Sequence, residues 1–206
     1  MLLGADSFNL QGQATNQSQP FNNANPAQAE TTAHWMARQL GIQPDYRRHI
    51  FVFVNGQHRG MVYYDYQQPD GDLVEEFFPD DPDGHLHKIE DWFEFNDAGA
   101  SLEIITAKLV KHVVNGQKRT ECYRWTFRPR AAENPNDFAD LYALVDAVNA
   151  PGPEPFTTAA STLVDIPEWM SMFALQHMAG NWDTYGYRRG KNMYTYKPEN
   201  GPWRLL

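Results

Sequence analysis

The chain has 206 residues, 42% of them hydrophobic, which is enough to close the core of one domain. Its formal net charge of −9 argues against non-specific electrostatic binding to nucleic acid or to anionic membranes, so no nucleic-acid partner is expected. The single cysteine excludes an internal disulfide framework and a zinc site built from cysteines.

The N-terminal part of the chain is predicted to be rich in β-structure. Residues 11–28 are rich in Gln and Asn, which indicates a loop, and the helix formers that follow end at Gly41, a typical helix stop. Two β-branched and aromatic runs then flank Asn55-Gly56, a strong signal for a β-hairpin. Next comes a short helix, an acidic turn and a strand that carries Lys88.

A second and longer hairpin is predicted over residues 101–127, because polar and apolar residues alternate on both sides of Asn115-Gly116. Beyond it the composition changes to helix formers. The predicted order is therefore a β-rich part over about residues 1–130 and a helical part over about residues 131–206. This order is typical of a single α+β domain.

The last predicted helix is marked at both ends. Asp165 and Glu168 have the three-residue spacing of a capping box, and Gly180 ends the helix. Residues 169–178 are apolar almost all round, which predicts a helix that is buried on every side.

The loop after this helix gathers cationic residues around Asp183. Loops held by buried elements are common places for catalytic groups. Two interpretations stay open: a turn aspartate paired with Arg188 or Arg189, or a carboxylate that holds a metal ion or a nucleophile's proton beside a bound anion. In the second interpretation Arg188, Arg189 and Lys191 bind nucleotide phosphates, and Asn192 offers a neutral oxygen ligand to the metal.

Several motifs together resemble one known family. Residues 173–206, which contain GNWDTYGYRRGKN, look like the catalytic segment of the CotH kinase family, the spore-coat protein H kinases, which are atypical secretory-type protein kinases. Residues 33–95 are similar to the family's helix, its hairpin with an Asn-Gly turn, and its Gly-x-Leu-x-Lys segment. The resemblance covers about residues 8–206, with the motifs in the expected order.

The resemblance implies an atypical protein-kinase-like fold and transfer of the ATP γ-phosphate, with Mg²⁺ or Mn²⁺, to Ser or Thr of a protein substrate. It gives Lys88 the role of binding the nucleotide phosphates and Asp183 that of the catalytic aspartate, and we expect both to point into one cleft. The acid that positions the lysine would be Asp65, Glu75 or Glu76. The compartment would be the cell surface, the spore coat or the exterior of the cell.

Both ends of the sequence predict a fragment. Family members continue past a stretch like residues 202–206 into a Pro-Trp-Asp-x-Asp motif whose first aspartate binds metal, and this sequence stops before that motif. We therefore expect Leu205 and Leu206 to be exposed, and the parent protein but not this piece to transfer phosphate. The alternative is a non-catalytic surface or spore-coat-type binding module that keeps the fold without the chemistry. No membrane-spanning segment and no signal peptide are visible.

Overall fold

The structure is a computed structural model that describes residues 9–12, 26–90, 92–95, 102–105, 107–181, 184–186 and 190–206. Within these ranges the chain forms six α-helices and eleven short strands, and every paired strand runs antiparallel to its neighbour. This mixture of helices and antiparallel sheets confirms the predicted α+β class. The chain divides into two compact units, Met1–Pro69 and Asp70–Leu206.

The first unit is one helix and a three-stranded sheet. Its elements are β1 (Asn9–Gly12), α1 (Pro26–Gln39), β2 (Arg47–Val54) and β3 (Gln57–Tyr66), with the strand order β1-β3-β2. Asn55 and Gly56 join β2 to β3 with φ values of 51° and 77°. A two-residue turn with positive φ at both positions matches the twist of the flanking strands, which explains why this hairpin could be predicted.

The second unit holds the remaining elements around a four-stranded sheet with the order β11-β10-β4-β9. In chain order these elements are α2 (Gly71–Phe77), β4 (His85–Ile89), β5 (Trp92–Phe95), β6 (Leu102–Ile105), β7 (Val113–Val114), β8 (Gln117–Lys118), α3 (Thr120–Thr126), β9 (Phe127–Ala131), α4 (Ala139–Val148), α5 (Pro153–Leu163), α6 (Ile166–Met178), β10 (Met193–Lys197) and β11 (Arg204–Leu205). The part predicted to be helical thus contributes β10 and β11 to the main sheet.

The prediction of a long hairpin over residues 101–127 is wrong for its second half. Asn115-Gly116 does form a turn, but β7 and β8 have only two residues each, and α3 follows them. The helix buries Cys122, Tyr123 and Thr126. The Tyr123 hydroxyl donates to the carbonyl of Val110 at 2.9 Å and accepts the backbone N–H of His112 at 2.9 Å. These contacts anchor the residues before β7 to a helix rather than to a paired strand.

The last helix, α6, has the predicted cap at Asp165 and is buried on one side only. The full capping box does not form, because the backbone N–H of Asp165 donates to the carbonyl of Trp203 and the Glu168 carboxylate accepts from Leu205. Asp165 accepts the backbone N–H of Glu168 at 3.2 Å, as a capping residue does. Trp169, Met172 and Leu175 are buried, whereas Met170 and Met178 are more than half exposed. The prediction of burial on every side was therefore wrong, because α6 packs through one face only.

The end of the chain is buried, against our expectation. Leu205 is fully buried in β11, and Leu206 packs on a core cluster of Val74, Leu86 and Tyr196. Pairing explains this burial, because the backbones of Leu206 and Tyr194 exchange two hydrogen bonds of 2.9 and 3.1 Å. In the part of the chain that the structure describes, the helices are all too short or too polar to cross a bilayer.

Candidate functional site

Lys88 lies on β4, between β10 and β9, in the main sheet of the second unit. The strand register sets Lys88 opposite Tyr194 on β10 and opposite Arg128 on β9. Directly opposed residues of antiparallel strands carry their side chains on the same face of the sheet. Arg128, Lys88 and Tyr194 therefore form one row across three strands.

This row carries an ion-pair cluster. The Nζ atom of Lys88 lies 2.6 Å from Oε2 of Glu90, and each of these side chains is 24% exposed. Glu90 follows β4, and its backbone N–H donates to the carbonyl of Thr126 at 2.9 Å. The same carboxylate oxygen lies 4.0 Å from Nη1 of Arg128. Two cations thus share one carboxylate, and the cluster keeps a positive charge in an acidic protein.

Around Leu86 the sheet face that carries Lys88 is apolar, and this apolar part determines where the ion-pair cluster lies. Leu86, two residues before Lys88 and so on the same face, packs with Val74 of α2 and Tyr196 of β10. All three side chains are fully buried. Lys88 therefore stands at the border between a packed core and solvent, where its stem is supported and its charged end remains accessible.

The structure explains why the Gly-x-Leu-x-Lys segment has a glycine at position 84. A Cβ atom at Gly84 would lie 2.1 Å from the carbonyl oxygen of Lys197, where no side chain fits. The backbone N–H of Gly84 donates to the hydroxyl of Tyr196 at 3.0 Å, and that hydroxyl donates to the carbonyl of Asp81. Gly84 thus lets the start of β4 lie against the end of β10, which sets the register that carries Lys88.

The carboxylate beside Lys88 is one that the sequence did not single out. Asp65, in the first unit, accepts hydrogen bonds from Nε of Arg48 at 2.8 Å and from the hydroxyl of Tyr46 at 3.3 Å. Glu75 and Glu76 are exposed on α2. The alternation of side chains along a strand could have indicated Glu90. Residues two apart lie on the same face of a strand, and Glu90 is two residues after Lys88.

Asp183, Arg188 and Arg189 lie outside the described residues, so their predicted roles and the predicted cleft stay predictions. The structure does describe both sides of Asp183. Asn181 is tied to α6 by two bonds to Gln176, from its backbone N–H at 2.9 Å and from its side-chain amide at 2.7 Å. Thr184 is fully buried, and its hydroxyl has no hydrogen-bond partner in the described part of the chain. The loop therefore has one anchored point on each side of Asp183.

The described residues 185, 186 and 190 of this loop are closely packed. Gly186 has a φ of 84°, and a Cβ atom there would lie 2.4 Å from the ring of Phe173 on α6. A Cβ atom at Gly190 would lie 2.7 Å from the backbone nitrogen of Ala107. Burial raises the pKa of the Tyr185 phenol above its usual range, so this phenol is neutral at physiological pH. These contacts hold Gly186 against Phe173 and Gly190 against Ala107.

Lys191 and Asn192, the two predicted ligands at the end of the loop, are within the described range. The carbonyl of Lys191 accepts the backbone N–H of Tyr185 at 2.8 Å, which closes the loop on itself. Asn192 has a φ of 59°, a left-handed conformation that asparagine tolerates, directly before β10. Among the residues that the structure describes, no group of three or more His, Cys, Asp or Glu side chains could hold a metal ion.

Comparisons with known proteins identify the family. The family model described as CotH kinase protein matches residues 30–206. The match spans most of the chain and includes both β4 and the loop after α6. A search of curated proteins finds no match.

Proposed function

This chain belongs to the CotH kinase family, and we propose on that premise that the complete protein transfers the γ-phosphate of ATP to Ser or Thr of a protein substrate. The observation that carries the proposal is the 2.6 Å ion pair between Lys88 and Glu90 at the edge of a buried core. Protein kinases bind nucleotide phosphates with a lysine that a carboxylate holds in place, and this pair supplies both groups.

In the proposed reaction the hydroxyl oxygen of the protein substrate attacks the γ-phosphorus of ATP. The bond between that phosphorus and the oxygen that bridges it to the β-phosphate breaks, and ADP leaves with the electron pair of that bond. The hydroxyl proton passes to the carboxylate of Asp183 and from there to solvent. Lys88, joined by Arg188, Arg189 and Lys191, offsets the negative charge of the phosphates.

Mg²⁺ or Mn²⁺ enters the proposal from the family resemblance, with Asn192 as a predicted oxygen ligand. Oxygen atoms of carboxylates and amides are the ligands that these cations prefer. A bound cation would supply positive charge beside the phosphate oxygens, where one lysine cannot neutralise a triphosphate.

The test is transfer of radiolabelled phosphate from ATP to casein, a protein rich in Ser, by the complete protein as encoded. We expect the unmodified protein to label casein, and Lys88→Met and Asp183→Asn to lower the rate by about 100-fold or more. Arg130→Gln serves as a control, because Arg130 is exposed on β9. Undiminished labelling by Asp183→Asn would remove that residue from the reaction. A folded protein that neither binds ATP nor labels casein would support the non-catalytic binding module.

A further inference from the structure

We propose that Arg128 is a second phosphate-binding cation, and that Glu90 holds Arg128 and Lys88 side by side as one site for the polyphosphate chain of a nucleotide. This inference rests on the proposed function, because it adds a residue to the same site. The ligand class is a nucleoside diphosphate or triphosphate, whose adjacent phosphates need more than one cation.

The strand register places the two cations together. Arg128 lies directly opposite Lys88 in the β4–β9 pair, and neighbouring strands are about 4.8 Å apart. Their side chains leave the same face of the sheet from adjacent strands. The two head groups can therefore reach neighbouring phosphates of one chain without any rearrangement of the backbone.

The charges in the cluster are unbalanced in a way that favours an anion. Like charges directly opposite each other across two strands destabilise a sheet. Among the described residues, Glu90 offsets one of the two positive charges, so one is left over in a chain whose formal net charge is −9. The side chain of Arg128 is 37% exposed, which leaves its guanidinium open to a ligand from solvent.

The two cations are held unequally. Lys88 is within hydrogen-bond distance of Glu90, at 2.6 Å, whereas Arg128 is at 4.0 Å, beyond that distance. The guanidinium of Arg128 makes no side-chain hydrogen bond within the described residues. Its fork of N–H donors matches the geometry of a phosphate. Glu90 thus positions Lys88 firmly and draws Arg128 near, while the donors of Arg128 remain available to phosphate oxygens.

The experiment is isothermal titration of the complete protein with ATP, ADP and AMP at constant Mg²⁺ and salt. We expect Arg128→Gln to weaken the binding of ATP and ADP by about 10-fold and that of AMP by less than about twofold. Arg128→Lys should fall between Arg128→Gln and the unmodified protein, because it keeps the charge and loses the fork. Arg130→Gln is the matched control on the same strand, since Arg130 is exposed and has no charged partner in the described part.

The outcomes separate this inference from the proposed function. If the unmodified protein binds ATP and Arg128→Gln binds it equally well, the inference is overturned and the proposed function stands. An equal loss for ATP, ADP and AMP, or a lower unfolding temperature that Arg128→Lys fails to restore, would show that Arg128 supports the fold and would also overturn the inference. If the unmodified protein binds no nucleotide while Arg130→Gln and it both stay folded, the proposed function itself fails.

Discussion

Two groups of the second unit, the partly buried Glu168 and the buried His87, should make stability depend on pH in opposite directions. Burial raises the pKa of Glu168 from 4.5 to about 7, although the backbone N–H of Leu205 and the nearby Arg204 oppose the rise. Burial lowers the pKa of His87 from 6.5 to about 4, although a bond to the carbonyl of Phe127 opposes the fall. Both groups therefore change their protonation within the same range of pH.

The sign follows from which state binds more protons. Between about pH 4.5 and 7 the folded protein keeps a proton on Glu168 that the unfolded chain has lost, so this group destabilises the fold as pH rises. Between about pH 4 and 6.5 the unfolded chain holds a proton that folded His87 lacks, so this group stabilises the fold as pH rises. The two contributions offset each other in the unmodified protein.

The magnitude follows from the size of each shift. A shift from 4.5 to about 7 corresponds to about 3 kcal/mol if the group is fully buried, at about 1.4 kcal/mol per pKa unit. The side chain of Glu168 is 12% exposed, so solvent screening reduces the figure to about 2 kcal/mol. Glu168→Gln removes this contribution and keeps an oxygen that can accept the N–H of Leu205.

The assay is urea unfolding followed by tryptophan fluorescence at about pH 4.5, 6 and 7.5. Relative to the unmodified protein, the free energy of unfolding of Glu168→Gln should rise by about 2 kcal/mol across this range. His87→Gln, which replaces the titrating imidazole with a neutral donor, should deviate in the opposite direction. Parallel curves for Glu168→Gln and the unmodified protein would refute the reasoning, because they would show that Glu168 titrates alike in the folded and unfolded states.

Two further predictions concern packing. Gly84→Ala should lower the free energy of unfolding by about 3 kcal/mol, because its Cβ atom meets the carbonyl of Lys197, whereas Gly71→Ala, with no atom within 4 Å, should have little effect. An equal effect of the two glycine variants in thermal unfolding would contradict this explanation. Leu205→Ala should cost about 2–4 kcal/mol because Leu205 is fully buried, while Leu40→Ala at a 43% exposed position should cost much less. If Leu205→Ala leaves the free energy of unfolding unchanged, the Leu205 side chain does not pack as the structure shows.

The parts of the fold that could be predicted are those decided by neighbouring residues. The Asn55-Gly56 hairpin and the Asp165 cap depend on φ angles and hydrogen bonds within a few positions. The helix α3 could not be predicted, because its Tyr123 is held by Val110 and His112, more than ten residues away along the chain. Burial of Leu205 depends likewise on pairing with a strand that the sequence alone does not align.

The same distinction applies to the candidate site. Lys88 could be singled out from a motif, whereas its partner Glu90 was not among the predicted acids, although it lies only two residues away. Arg128 could not be found, because it joins Lys88 through a strand register that spans forty residues. A lysine with a candidate role can be recognised from a motif in the sequence, whereas the charged groups beside it are known only once the strand pairing is known.

The ion pair between Lys88 and Glu90 lies within three consecutive residues of one extended segment. In many protein kinases the carboxylate partner of the lysine belongs to a separate helix, and moving that helix turns the enzyme on or off. A pair made between a strand residue and the residue just after that strand does not depend on the position of a separate helix. In the proposed kinase, movement of a separate helix would therefore leave the lysine and its carboxylate together.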